Sequence, residues 1–336
     1  MRAIALPAPR GSGAEQTLSS IACPRRGDCL AIGTYSAGKH APGGSMIAVE
    51  RDGIWQKTQR VSLPGYTIQG IGSLSCLSSE NCDAVLWYGN APSGAILSEV
   101  HGKWRVSRIV LPRGLRTSGN RYALPKAVFC TSVGNCVVAG WSGWNGPGLP
   151  IVAVETNGRW GRAITVRLPR GASLAGANEL RSIACSSPGN CLAVGDYEKQ
   201  GSLATPAFAM AVSETHGVWG PAATVPAPAG ATRYTSGARE LPPPLVSMLF
   251  SVSCVPHGDC VAAGQYDVPT RGVEPMVATD HDGTWRSQPI SLPANAVQHP
   301  ATGFLLSIAC TEPGCTAVGT YQTATASPTM ATESGP

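Results

Sequence analysis

Twelve cysteines fall in six close pairs, and no other feature of the 336-residue chain restricts its fold as strongly. The pairs are Cys23/Cys29, Cys76/Cys82, Cys130/Cys136, Cys185/Cys191, Cys254/Cys260 and Cys310/Cys315, five spaced Cys-x5-Cys and the last Cys-x4-Cys. Turn formers lie between them, as in Pro24-Arg25-Arg26-Gly27-Asp28, so each pair brackets a turn and six local disulfides are expected. Zinc is the rival reading. Ribbon and finger sites use tighter knuckles, often with His, and none of the six His keeps a regular place in the pattern, so no metal or cofactor is expected. Disulfides persist in oxidising compartments, which points to an extracellular or cell-envelope location. The opening Met1–Arg10 is too short and too interrupted by proline for a signal-peptide core, so the expectation is a removed leader, with a non-classical export route as the alternative.

The first cysteines of successive pairs stand 53, 54, 55, 69 and 56 residues apart, a period that signals a solenoid, propeller or array. Four short segments recur per unit. In the first they are Ser20-Ile21-Ala22-Cys23, Cys29 to Tyr35, Met46 to Glu50, and Gly53-Ile54-Trp55 running to Leu63-Pro64. Their length and β-branched content make them strands. Gly and Pro, at 40 and 28 residues, with charged residues at only 13%, likewise suit a turn-rich β protein and neither a disordered nor a helical one. Asp52-Gly53, Asn157-Gly158 and Asp282-Gly283, with His101-Gly102 and His216-Gly217 in two other units, fit the positive φ angles of tight type I′ hairpins.

Five units are complete, while the sixth stops where the others continue into a fourth strand. Arg2-Ala3-Ile4-Ala5-Leu6-Pro7 aligns with the end of such a strand, Gln288 to Pro293. The expected fold is therefore all-β: one six-bladed β-propeller of four-stranded blades, its last blade closed by the N-terminal strand. The units run about 17–64, 72–112, 126–169, 181–226, 250–293, and 306–336 plus 2–7. The pattern Ser-[Ile/Val]-[Ala/Ser]-Cys-x5-Cys-x-Ala-x-Gly-x-Tyr, followed by Glu-x-x-Gly-x-Trp, resembles the repeats of exported, mostly uncharacterised actinobacterial β-propeller proteins; the resemblance implies secretion and a propeller without an assigned activity. More distantly, Asp52-Gly53-Ile54-Trp55 and Asp282-Gly283-Thr284-Trp285 resemble the Asp-box turns of sialidase-type propellers.

The formal charge of +5 is mild and the basic residues are scattered, so no nucleic-acid partner is expected; no apolar run approaches the roughly 18 residues of a membrane-spanning helix. Walker, dinucleotide and His-Glu-x-x-His motifs are absent, and no catalytic residue is assigned. Topology puts the cysteine turns and Gly-x-Trp hairpins at one end of the blades and the irregular loops at the other. The tryptophans Trp55, Trp104, Trp160, Trp219 and Trp285 and the acids Glu50, Glu99, Glu155, Glu214, Asp280 and Glu333 recur with the repeat and read as structural. The expected function is a secreted binding or scaffold module that recognises a glycan or an extracellular protein through the irregular end, an extracellular glycoside hydrolase or lyase of propeller type being the alternative. The candidate ligand-binding residues are Trp141, Trp144, Tyr197, Tyr266, Arg233, Tyr234 and Arg239, aromatic and arginine side chains of the kind in which interfaces concentrate their energy. Asp196, Glu198, Asp267 and Glu274 are the carboxylates near that end, each explained by surface solvation.

Overall fold

The computed structural model describes residues 16–35, 44–61, 68–89, 93–100, 103–112, 122–143, 148–199, 207–231, 246–256, 258–269, 271–298, 300–312 and 314–333. Among these the structure is all strand and turn, with no helix, and none long and apolar enough to cross a membrane. The strand expected at residues 2–7 lies outside the described residues.

The described strands form five sheets, in which the strands of each repeat pair antiparallel in chain order. The first comprises Gln16–Arg25, Asp28–Tyr35, Gly44–Arg51 and Ile54–Trp55, with Gln59–Val61 back on the third strand. Ile68–Ser78, Asn81–Tyr88, Ser93–Val100 and Lys103–Arg108 make the second, and the third starts with Ala123–Ser132, Asn135–Ser142 and Leu149–Thr156. The fourth starts with Glu179–Ser187, Asn190–Glu198 and Ala207–Thr215. Repeats five and six share one seven-stranded sheet, because the third strand of repeat five, Gly272–His281, pairs in parallel with Ala301–Thr311 at Gly272–Ala301 and Val273–Thr302. By contact density the chain divides into two compact units, 1–144 with 152–164 and 145–151 with 165–336.

All six expected disulfides form, each within its own repeat: Cys23 with Cys29, Cys76 with Cys82, Cys130 with Cys136, Cys185 with Cys191, Cys254 with Cys260 and Cys310 with Cys315. This is chemistry suited to an oxidising, extracellular compartment. The shorter spacing of the last pair makes no difference to the bridge, since the Cα atoms of Cys310 and Cys315 stand 4.0 Å apart, as close as those of Cys130 and Cys136. The structure departs from the sequence reading in what the bridges touch. Spacing shows only that each pair brackets a turn; in the fold, Cys82 is fully buried and belongs to the core cluster of the first unit, with Leu74, Leu86 and Leu97, and Cys76 packs against it. Cys315 is half-buried and, with Cys310, packs against the cluster of Leu305, Ile308 and Ala317 in the second unit. The reason is position: each second cysteine opens the second strand of its repeat, so its sulfur lies over the sheet face and acts as a small apolar group as well as a cross-link.

The hairpins also take the expected form: Asp52, Asn157, His216 and Asp282 have φ near 50°, and each following glycine is positive too. The cysteine turn and the Gly-x-Trp hairpin of a repeat are tied together. Gly53 N–H donates to Gly27 C=O at 2.8 Å, Gly158 to Gly134 at 2.9 Å and Gly217 to Gly189 at 2.9 Å. The side chain before the second cysteine adds a parallel bond, Asp28, Asn135 and Asn190 accepting from the backbone N–H of Asp52, Asn157 and His216. Opposite each hairpin tryptophan stands the recurring acid, Glu99 facing Trp104 and Glu214 facing Trp219.

At the other end of the strands, the first strand of five repeats carries a β-bulge. Pairing skips Ser19, Lys126, Arg181, Phe250 and Leu306. Facing the bulge is the recurring glycine of the second strand, and a Cβ there would fall 2.0 Å from the Thr17 carbonyl oxygen at Gly33 and 2.0 Å from that of Glu179 at Gly195. The close approach that the bulge creates is therefore what makes glycine obligatory at that point of the repeat.

Candidate functional site

A bulge leaves one residue out of the ladder and re-aims its side chain, so the skipped residue is freed from pairing at that end of the first strand. Its identity changes from repeat to repeat (Ser19, Lys126, Arg181, Phe250, Leu306) while its backbone setting stays the same. Constant geometry with varied chemistry is the arrangement of a recognition surface, and we take this row as the candidate site.

In the second compact unit the row is rich in flat and charged groups. The Arg181 guanidinium lies 5.6 Å from the centroid of the Phe250 ring, and Phe250 meets Phe304 edge-on at 6.3 Å. Arg181 Nε donates to Asp196 Oδ1 at 2.5 Å while its Nη2 pairs with Glu179, which faces Asp196 across the ladder. Asp196 is only 5% exposed. Burial pushes its carboxyl up to about 6, against the pull of Arg181. Asp196 and Glu179 in turn raise the guanidinium above its ordinary value, overcoming the desolvation that would lower it. The result is a neutralised, stacked cluster with a half-buried arginine face.

In the first unit, Lys126 stands 5.8 Å from the Trp87 ring, whose indole Nε1 donates to the Pro125 carbonyl at 2.9 Å. Trp141 occupies the same second-strand position as Trp87 and Asp196, is half-buried, and its indole Nε1 is buried without an acceptor among the described residues. Of the residues expected from sequence, Trp141 lies on the second strand one residue after the recurring glycine, Gly140. Tyr197 and Tyr266 are buried: Tyr197 shares a 2.7 Å hydrogen bond with Thr224 Oγ1, and Tyr266 donates to Glu274 Oε2 at 2.8 Å. Burial, with the Glu274 bond second, pushes the Tyr266 hydroxyl up to about 12. Their hydroxyls are satisfied within the sheet. Trp144, Arg233, Tyr234 and Arg239 lie outside the described residues. Glu274 is itself bound by Arg271 at 2.7 Å, and Glu198 is half-buried.

Sequence reasoning looked for the site on irregular loops and missed Lys126, Arg181 and Phe250. The available signal was the residue immediately before the recurring Ser/Ala of the first strand (Ser20, Ala127, Ser182, Ser251, Ser307), which varies within an otherwise repeated motif. Recognising it required knowing that a bulge falls there.

No protein-family model matches the chain, and no curated protein matches it in sequence. Among solved structures it is similar to the NanB sialidase from Streptococcus pneumoniae in complex with 2-[(3-chlorobenzyl)ammonio]ethanesulfonate, at 9% identity and a TM-score of 0.52, covering 96% of this chain and 68% of that one. It is also similar to the Hadza microbial sialidase Hz136, at 10% identity and a TM-score of 0.48 with 92% of this chain covered, and it spans 63% of that sialidase's length. A third is the N11 neuraminidase-like protein of A/flat-faced bat/Peru/033/2010 (H18N11), at 8% identity, a TM-score of 0.46, 98% of this chain and 89% of that one. The NanB match carries the fold, which is all-β and propeller-like, and at this identity it carries nothing about the site.

Proposed function

We propose that the chain is an extracellular binding module, a six-bladed propeller of four-stranded blades that holds a glycan or a protein partner at the bulge end of its sheets. The observation that carries this reading is the row of skipped residues, above all Arg181 stacked on Phe250 beside Phe304. Aromatic faces and a laterally held guanidinium offer a sugar ring or a partner side chain both stacking and hydrogen bonds. Trp141, Tyr197 and Tyr266 on the second strands, and Trp144, Arg233, Tyr234 and Arg239, are further candidates for contact with that ligand.

The ring reading draws on burial at the two ends of the repeat series. Leu18 and Ile21 on the first strand of repeat one are 47% and 57% exposed, whereas their counterparts Leu180 and Ile183 are 0% and 5%. On the second strand of repeat six Val318 is 46% exposed, while its counterparts Ile32 and Val194 are both 0%. In intervening repeats the backbone N–H of the Ile21 counterpart donates to a serine of the repeat before it, Val252 to Ser182 at 3.1 Å and Ile308 to Ser251 at 3.2 Å. Ring closure would bury apolar faces of this kind, with residues 2–7 supplying the outer strand of the sixth blade. Deleting residues 2–7 is expected to lower Tm by several degrees, and an unchanged Tm overturns the closure.

The alternative of a glycoside hydrolase or lyase has one observation in its favour, the Asp196 carboxyl raised to about 6 and thus able to hold a proton near neutrality. Against it, that carboxyl is buried and already bonded by Arg181. A glycan array with the purified protein, repeated with Arg181→Ala and Phe250→Ala, separates the readings. Retention of one glycan class that both variants lose supports recognition at the row. Turnover of fluorogenic glycosides, abolished by Asp196→Asn, replaces that reading with the hydrolase.

A further inference from the structure

The disulfide-turn end of the second unit holds a cleft of about 600 Å³ between repeats four and five. Four carboxylates line it, Glu214, Asp259, Asp280 and Asp282, together with hydroxyls of Ser186, Ser187, Ser213 and Thr215, and no Lys or Arg is among the lining residues. The charges are of two kinds. Asp259 and Asp282 stand out in solvent, with side chains 61% and 94% exposed. Glu214, by contrast, is 5% exposed, and its Oε2 is buried with no hydrogen-bond partner among the described residues. The Trp219 indole opposite it draws its carboxyl pKa down somewhat, yet burial dominates and holds it above the ordinary value. Asp280 is raised in the same way, chiefly by burial and against a hydrogen bond from the Gly283 backbone, and its Oδ1 is without a partner among the described residues. His281 lies 2.9 Å from Asp259 Oδ1 and 3.7 Å from Asp282 Oδ2.

The spacing of these acids selects the kind of cation. Among the described residues no three of the cleft's carboxylates bring their oxygens within 4.8 Å of one another. A single metal ion needs converging oxygens at roughly 2.0–2.6 Å from its centre, so this set does not chelate one. A cleft of several hundred Å³ with acids at its rim and in its floor matches instead an extended organic cation whose charges are themselves spaced along a chain. Its hydroxyls add acceptors for ammonium hydrogens, and its walls offer methylene contacts from Leu192 and Pro256. We infer that this cleft binds an oligo-alkylammonium ligand, with one ammonium seated at Glu214 and Asp280 and another at Asp259 and Asp282. The shared chemistry is the primary ammonium on a methylene chain, supplied by a free polyamine or by the lysine side chains of a peptide.

Isothermal titration calorimetry with spermidine and with trilysine at low ionic strength tests the inference on the full chain. Saturable binding of either probe is expected, weakened about tenfold or more in Glu214→Gln and in the double variant Asp259→Asn/Asp282→Asn, and unchanged in Glu80→Gln of the first unit. Preference between the two probes identifies the source of the ammonium groups. Heat without saturation, or equal affinity in all variants, shows only diffuse surface attraction and overturns the site; so does Mg²⁺ competing at equal concentration. Glu214→Gln keeps the size of the side chain, and the surface double variant provides an independent arm should that substitution disturb folding. Arg181→Ala, at the opposite end of the strands, is expected to leave spermidine affinity unaltered, so failure of glycan recognition and failure of this site are separate results.

Discussion

The two ends of each sheet obey different rules. At the disulfide-turn end nearly every residue is prescribed: positive-φ glycines, the asparagine or aspartate that accepts from the neighbouring hairpin, and the cysteines. At the bulge end only the backbone is prescribed, through the glycine that has no room for a Cβ, and the skipped side chain is free to be Ser, Lys, Arg, Phe or Leu. A repeat can vary where a side chain leaves the hydrogen-bonded ladder and cannot vary where a turn demands a special conformation.

This contrast breaks most readily at the bulge glycine. Gly195→Val places a Cβ 2.0 Å from the Glu179 carbonyl oxygen, and a loss of about 3 kcal/mol or more is expected in a urea melt, since backbone has to move. A loss under about 1 kcal/mol would mean that the bulge is not the reason for glycine. Next comes Arg181→Ala, which strands the buried Asp196 carboxylate and should cost on the order of 3 kcal/mol. Adding Asp196→Asn should restore much of that loss, and strict additivity in the double-mutant cycle would show that the two do not act as a pair.

At the turn end the expected effects are smaller because each clamp is local. Replacing Cys185 and Cys191 together by Ser opens a loop with a sequence separation of 6, and chain entropy gives about 2 kcal/mol for so short a loop. Non-reducing peptide mapping checks the pairing itself, and bridges between repeats would contradict it. The smallest effect is one of pH. Burial raises Glu99 and Glu155 from 4.5 to about 7, so the folded chain holds protons that the unfolded chain has already lost in that interval. Their contribution is fully present below about 4.5, falls as pH rises to about 7 and is then constant, by roughly 1 kcal/mol per carboxyl after solvent screening. Thermal midpoints measured from pH 4.5 to 8 should decline and then level off, with less decline in Glu99→Gln; a rise between pH 5 and 7 would reverse the assignment.

Much of the fold was legible because it is written in local terms. The cysteine pairs, the Asp-Gly and Asn-Gly turns and the Gly-x-Trp hairpins each specify a conformation within a dozen residues, and their recurrence from repeat to repeat made them readable. Pairing of Cys76 with Cys82 and of Cys310 with Cys315 was readable in this way, whereas the seating of Cys82 in the core and of Cys315 on an apolar cluster was not, because it depends on which side chains of other strands meet the bridge. The tyrosines were readable as repeat residues too, but their burial was not: that Tyr197 bonds Thr224 and Tyr266 bonds Glu274 depends on which third-strand or later segment folds back beside them. Sequence determined that the chain is a disulfide-stapled, repeating β protein, because turn chemistry and strand alternation act between near neighbours. Only tertiary structure decided that Arg181 of repeat four would stack on Phe250 of repeat five, and that Glu214 of one repeat would line a single cleft with Asp259, Asp280 and Asp282 of the next. Those juxtapositions join residues tens of positions apart, and they arise from how successive sheets pack, which no spacing within a single repeat encodes.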